Sequence, residues 1–173
     1  MLSWLRCRSK RSRTDSEGEQ ALENPEKSEK FEGKFEFLEH TADVYISAHG
    51  ATMEEAFGNA GLAMFEVMTD TQKITPRHRE AVEVEAEDEY ALLYSWLESL
   101  LVKFEVNGML FSQFDVHSIK ETTQGYKLKA TIHGEKFDPQ KHSQKVGVKA
   151  VTYHQMEFIK TPQNVTLMLL LDI

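Results

Sequence analysis

Apolar residues recur through the chain from Phe35 onward with two distinct periods. The helical period comes twice. Met53, Ala56, Phe57, Ala60, Met64, Val67 and Met68 share one face of a helix, because residues three and four apart lie on one side of a 3.6-residue turn. Thr52 precedes this run, with Glu55 three residues on, the capping-box pattern. Thr69-Asp70-Thr71 ends it. A second helix is predicted from Asp88 as its cap, through the stripe Leu93, Trp96, Leu97, Leu100, Leu101 and Phe104, to a stop at Asn107-Gly108. The strand period of two is clear over 82–86 and again over 126–133, which follows a turn at Gln124-Gly125. Shorter strands are expected at 35–38, 44–48, 111–119 and 146–153. The continuous apolar run 166–171 reads as a strand buried on both faces.

Two helices among hairpin-linked strands give an α+β fold, a mostly antiparallel sheet with the two main helices packed on it. Residues 1–33 nearly lack large apolar groups after Leu5 and are rich in Glu, Ser, Lys and Arg. Such a segment buries too little surface to offset its ordering entropy, so 1–33 is expected to be a disordered leader and 34–173 the folded domain.

Charge and composition narrow the class. Of 173 residues, 40% are hydrophobic and 28% charged, and the formal net charge is −8. An acidic balance opposes broad gripping of nucleic acid, which needs clustered Lys and Arg, and suits a protein that binds cations or a basic partner. The single cysteine, Cys7, excludes an internal disulfide and a Cys-based zinc site, and fits a reducing compartment, cytoplasmic or nuclear. No apolar run approaches the ~20 residues of a membrane span, so no membrane association is expected. Arg6, Arg8, Lys10, Arg11 and Arg13 read as a solvated basic leader, or as a weak nuclear or RNA-touching tail.

Few residues offer chemistry. His40-Thr41-Ala42-Asp43 sits at a strand entrance; Thr and Asp are turn formers there, yet Asp43 also sets a carboxylate on constrained backbone. Asp172 follows six core residues, and Ile173 carries the chain-end carboxylate. Neighbouring carboxylates raise each other's pKa unless a cation sits between them, a conflict that a hard divalent ion with oxygen ligands resolves. The plain alternative is a frayed end. Lys149 reads as a strand residue among Val148, Ala150 and Val151, facing solvent or meeting a carboxylate or phosphate. Tyr153 and His154 are candidate acid–base groups, though a lone strand-end histidine is more often structural. Glycine-rich phosphate loops and a Gly-x-Ser-x-Gly elbow are missing.

Taken together, four stretches resemble the archease family: Phe37-Leu38-Glu39-His40-Thr41-Ala42-Asp43; the helix from Glu54-Glu55-Ala56-Phe57 through Ala63-Met64-Phe65; Gly134-Glu135 with Val148-Lys149-Ala150-Val151-Thr152-Tyr153-His154; and Asp172-Ile173. The resemblance spans about 34–173. It implies a non-enzymatic accessory protein of the RtcB-class tRNA-splicing ligase that promotes guanylylation of the ligase and its multiple turnover. GTP and tRNA would then be met through the ligase. It also implies a divalent metal, typically calcium, with magnesium or manganese as alternatives, on Asp43, Asp172 and the carboxylate end at Ile173. His40 would shape the same loop, Lys149 would belong to the activating surface, and Glu135 and His154 lie in shared motifs. Two readings compete: a small metal-dependent phosphoester hydrolase using Asp43, Asp172 and Lys149, and a chaperone-like binding module.

Overall fold

A computed structural model describes residues 33–38 and 43–173. The leader 1–33, apart from Gly33, and His40 lie outside these described residues.

Among the described residues, seven strands form two antiparallel sheets. The first runs in the order β1 (Phe35–Leu38), β2 (Val44–Gly50), β7 (Val165–Asp172), β6 (Ala150–Lys160). The second runs β3 (His78–Ala86), β5 (Gly125–Lys136), β4 (Met109–Thr122). Helices α1 (Met53–Met68) and α2 (Glu89–Asn107) pack against strands of both sheets. The expected α+β class, with its antiparallel strands and two main helices, is what the molecule adopts.

Local chemistry explains where the helices begin and stop. Thr52 Oγ1 accepts from the Glu55 N–H at 3.2 Å, while Glu55 Oε2 reaches back to the Ala51 N–H at 2.8 Å, one residue earlier than the Thr52 N–H a capping box would use. Asp88 Oδ1 accepts from the Ala91 N–H at 2.7 Å. Gly108 closes α2 at φ 62°, left-handed backbone that glycine adopts without a Cβ clash.

The core lies between the sheets. From Ala56 to Met68, α1 is buried at every position except Asn59, because it is covered from two sides. Gly58 permits the closeness of β4: a Cβ there would stand 2.7 Å from the Phe114 carbonyl oxygen. Trp96 of α2 is fully buried and donates Nε1–H to the Phe57 carbonyl at 3.0 Å, so the indole joins the two helices without leaving its polar atom unpaired.

One expected strand is displaced. Of the run 146–153 only the second half is strand: β6 begins at Ala150 and continues to Lys160. Residues 143–149 form instead a strap across the C-terminal end of α1. Thr69 Oγ1 donates to Ser143 O at 2.7 Å, and the Lys145 N–H donates to Met68 O at 3.0 Å. The carbonyls at a helix end lack intrahelical partners, and the strap supplies them. β1 is found where it is expected, and the remaining strands extend beyond their predicted ends, β3 back to His78 and β5 on to Lys136.

Candidate metal and partner site

The fold brings three chain segments to one end of β7. Val44 of β2 pairs with Leu171, and carrying that register one step further sets Asp43 opposite Asp172. On the other side of β7, Asp172 pairs with Ala150. Directly opposed residues of antiparallel strands share a face with Cβ atoms ~5 Å apart, and like charges so placed repel. Asp172 is exposed and Asp43 half-buried.

Lys149 completes the set, and its setting corrects the sequence reading. It is not inside a strand but stands just before β6, at the end of the strap. Val148 beside it is buried and fixes its direction. The Lys149 N–H donates to Asp172 O at 2.8 Å, and Nζ donates to Ile173 O at 2.7 Å. The ammonium thus meets an oxygen of Ile173 while the residue stays exposed.

Among the described residues no three His, Cys, Asp or Glu side chains gather into a metal site. The donors at this end are two carboxylates, Asp43 and Asp172, with the oxygens of Ile173. In kind they suit a hard cation, which takes oxygen ligands. Lys149 shares one of those oxygens, so an ion there would sit beside an ammonium.

The remaining candidates lie apart from this cluster. Glu135 is on β5 in the second sheet, paired with Leu110. Its carboxylate is buried and accepts from the Thr75 N–H at 2.6 Å, from His142 Nε2 at 3.2 Å and from Lys141 Nζ. Burial pushes this carboxyl up, but the three donors together outweigh it and bring its pKa to about 2. The His142 tautomer follows from its contacts: Nδ1 accepts from the Asp138 N–H at 2.9 Å, so the proton is on Nε2, facing Glu135. This arrangement clasps the loop after β5. His154 is exposed on β6 and makes no hydrogen bond or ion pair among the described residues. Tyr153, next to it, stacks on Tyr94 of α2 with centroids 4.7 Å apart and planes at 7°.

Sequence reasoning passed over Lys145 and Glu66. Glu66 is buried on α1 and accepts from Thr71 Oγ1 and Lys145 Nζ, each at 2.6 Å, and this pairing holds the strap that delivers Lys149. Glu66 lies off the predicted apolar face, and the available signal was a lone charge among the otherwise apolar residues 60–68, since a buried carboxylate requires a partner. Tyr94 falls beside the buried stripe of α2, and nothing in its spacing announces the Tyr153 ring.

The archease protein family model matches residues 35–173. A protein archease from Pyrococcus abyssi is 46% identical over 129 residues, covering 75% of this chain and 90% of the relative. One from Sulfurisphaera tokodaii is 50% identical over 124 residues, covering 72% and 87%. The solution structure of Methanobacterium thermoautotrophicum protein 1598 superposes with a TM-score of 0.72 at 40% identity, covering 82% of this chain and 99% of that one. A Thermotoga maritima structure, described as an archease and possible chaperone, shares the fold with a TM-score of 0.53 at 19% identity over 79% of this chain and 94% of that one.

Proposed function

This chain belongs to the archease family, and from that premise we propose that it is a metal-binding accessory protein of an RtcB-class RNA ligase, promoting guanylylation of the ligase by GTP and its repeated turnover in tRNA splicing. The observation that carries the reading is the meeting of Asp43, Asp172, Ile173 and Lys149 at one end of β7. The register of β2 on β7 sets Asp43 opposite Asp172, and the oxygens of Ile173 would follow them. These groups would hold a divalent ion, calcium first and magnesium or manganese next, which supplies a hard positive centre that cancels the repulsion of the carboxylates.

Lys149 has a different part. Its ammonium holds Ile173 in place and remains a compact positive charge at the edge of the acidic cluster, suited to a phosphate or carboxylate of the partner. His40 would complete the loop that carries Asp43. Glu135 and His154 stay outside the metal set: Glu135 supports the loop that leads into the strap, and His154 stands free on β6 for contact with a partner. In this reading the ligase, not this chain, handles GTP and tRNA.

A time course of ligase guanylylation with GTP, with and without this protein, tests the proposal. Faster guanylylation and more than one ligation per ligase molecule are expected. Release of phosphate from substrate by this protein alone, with no effect on the ligase, would replace the accessory role with the hydrolase reading.

A further inference from the structure

β6 contains an irregularity that the fold does not require. Thr152 pairs with Leu170 and Glu157 with Met168, so Tyr153, His154, Gln155 and Met156 stand against Leu169 alone. Gln155 is at φ 54°, the single non-glycine residue with positive φ among the described residues. Backbone in that region persists only where its surroundings impose it, and it collects at functional places. Here the surroundings impose it from three sides. Tyr45 Oη donates to Gln155 O at 3.3 Å, Met156 is buried, and the Tyr153 ring lies flat on Tyr94.

The result is an aromatic ring that is fixed but exposed. Tyr153 is 54% exposed, although its stacking partner sits on a helix of the core. Tyr94 Oη in turn donates to Glu98 Oε1 at 3.2 Å. Glu98 is thus bonded to the stack, and after burial itself the charges of Asp88, Glu87 and Glu98 push the Tyr153 hydroxyl pKa up. All three carboxylates are exposed, and among the described residues none forms an ion pair. A rigid ring face beside carboxylates that hold no cation favours a planar cation. Guanidinium meets both demands, because it stacks on aromatic faces and bonds carboxylates through its fork of donors, whereas an ammonium is a hydrated point charge. The same carboxylates repel a phosphate backbone.

We propose that the Tyr94–Tyr153 stack, with Glu87, Asp88 and Glu98 around it, is a docking surface for an arginine-bearing segment of a protein partner. This surface is separate from the β7-end cluster and does not depend on the function proposed for that cluster.

The test uses the full chain and two fluorescent peptides, hexa-arginine and hexa-lysine, titrated at low ionic strength. Equal peptide charge cancels the purely Coulombic part. Stacking at an exposed site predicts a preference for hexa-arginine of about threefold. Tyr153→Leu abolishes the preference while Tyr153→Phe keeps it, and Glu87→Gln with Glu98→Gln weakens both peptides. Amide spectra of each variant confirm that the fold is retained. The proposal is overturned by failure of the wild type to bind, by equal affinity for the two peptides, by a preference that survives in Tyr153→Leu, or by tighter binding of a single-stranded oligouridylate than of hexa-arginine.

Discussion

Lys145 donates its ammonium to both the carbonyl and the carboxylate of Glu66, each at 2.6 Å. That double contact ties the strap 143–149 to the end of α1 and so sets where Lys149 arrives. Lys145→Met takes the ammonium away from the buried Glu66 carboxylate, whose Oε2 still accepts from the Thr71 N–H and Oγ1. Loss of one partner of a fully buried pair costs ~3–5 kcal/mol. Because the Lys145 side chain is 30% exposed, the expected loss is smaller, about 2 kcal/mol. Urea unfolding of Lys145→Met, Glu66→Gln and the double variant checks this. The double variant is expected to be more stable than Lys145→Met; strictly additive losses would show that the pair does not hold the strap.

Glu135 gives the protein an acid-sensitive clasp. Its folded pKa, about 2, lies below the usual glutamate value of 4.5. Its stabilising contribution is therefore fully present above pH 4.5 and is lost as pH falls from there toward 2. Glu135→Gln keeps the shape but removes the charge that Lys141 and His142 face, and costs ~1–3 kcal/mol at neutral pH. Thermal melts of wild type and variant from pH 7 down to pH 2.5 are expected to converge at the acid end. A gap that stays constant across that range would mean the charge is not what stabilises the loop.

The β7-end cluster makes a prediction about cations. A ligand that binds only the folded state stabilises it by about 2.7 kcal/mol at a hundred times its dissociation constant. Calcium is expected to raise the melting temperature of the wild type by several degrees and to do little for Asp43→Ala or Asp172→Asn. Asp172→Asn loses one member of an opposed like-charged pair, so without metal it is expected to melt at or slightly above the wild-type temperature. Equal calcium shifts in all three proteins would remove the metal from this cluster.

How much of this was legible in the sequence varies by element. Both helices were, because their caps and stops are local: Thr52, Asp88 and Gly108 bond to residues within a turn or so of themselves. What α1 buries was only half legible. Seven residues predicted one apolar face, but Gly58, Gly61, Leu62 and Phe65 fall outside that face and are buried too, since the helix is covered by two sheets. The division of seven strands into two sheets depends on register between distant segments, which no local pattern encodes. The apolar run before Asp172 did indicate a central strand, and the register of β2 carries Asp43 to the same end of it. The start of β6 was misplaced because Val146 and Val148 alternate like a strand, whereas the hydrogen bonds of that segment go to α1. The bulge at Gln155 then resets the phase of the pleat, which concealed the second half of β6.

Lys149 separates an activating role from a merely structural one. Its N–H holds Asp172 O within the main chain, so a side-chain substitution leaves that bond in place. What Lys149→Ala removes is the contact of Nζ with Ile173 O. Lys149 is exposed, and an exposed ion pair contributes only ~0–1 kcal/mol, so the fold and the melting temperature are expected to change little. The calcium shift is expected to persist, because the lysine is not an oxygen ligand and its removal frees one oxygen of Ile173. Guanylylation of the ligase is nevertheless expected to lose most of its acceleration, since the positive charge offered to the partner is gone. Lys149→Glu reverses that charge beside Asp43 and Asp172 and is expected to be worse. Lys149→Arg keeps the charge and is expected to retain part of the activity, though its planar fork does not reproduce a point charge. A guanylylation time course with GTP, ligase and each variant decides the matter. Wild-type rates in both Lys149→Ala and Lys149→Glu would reduce Lys149 to an anchor for the chain end.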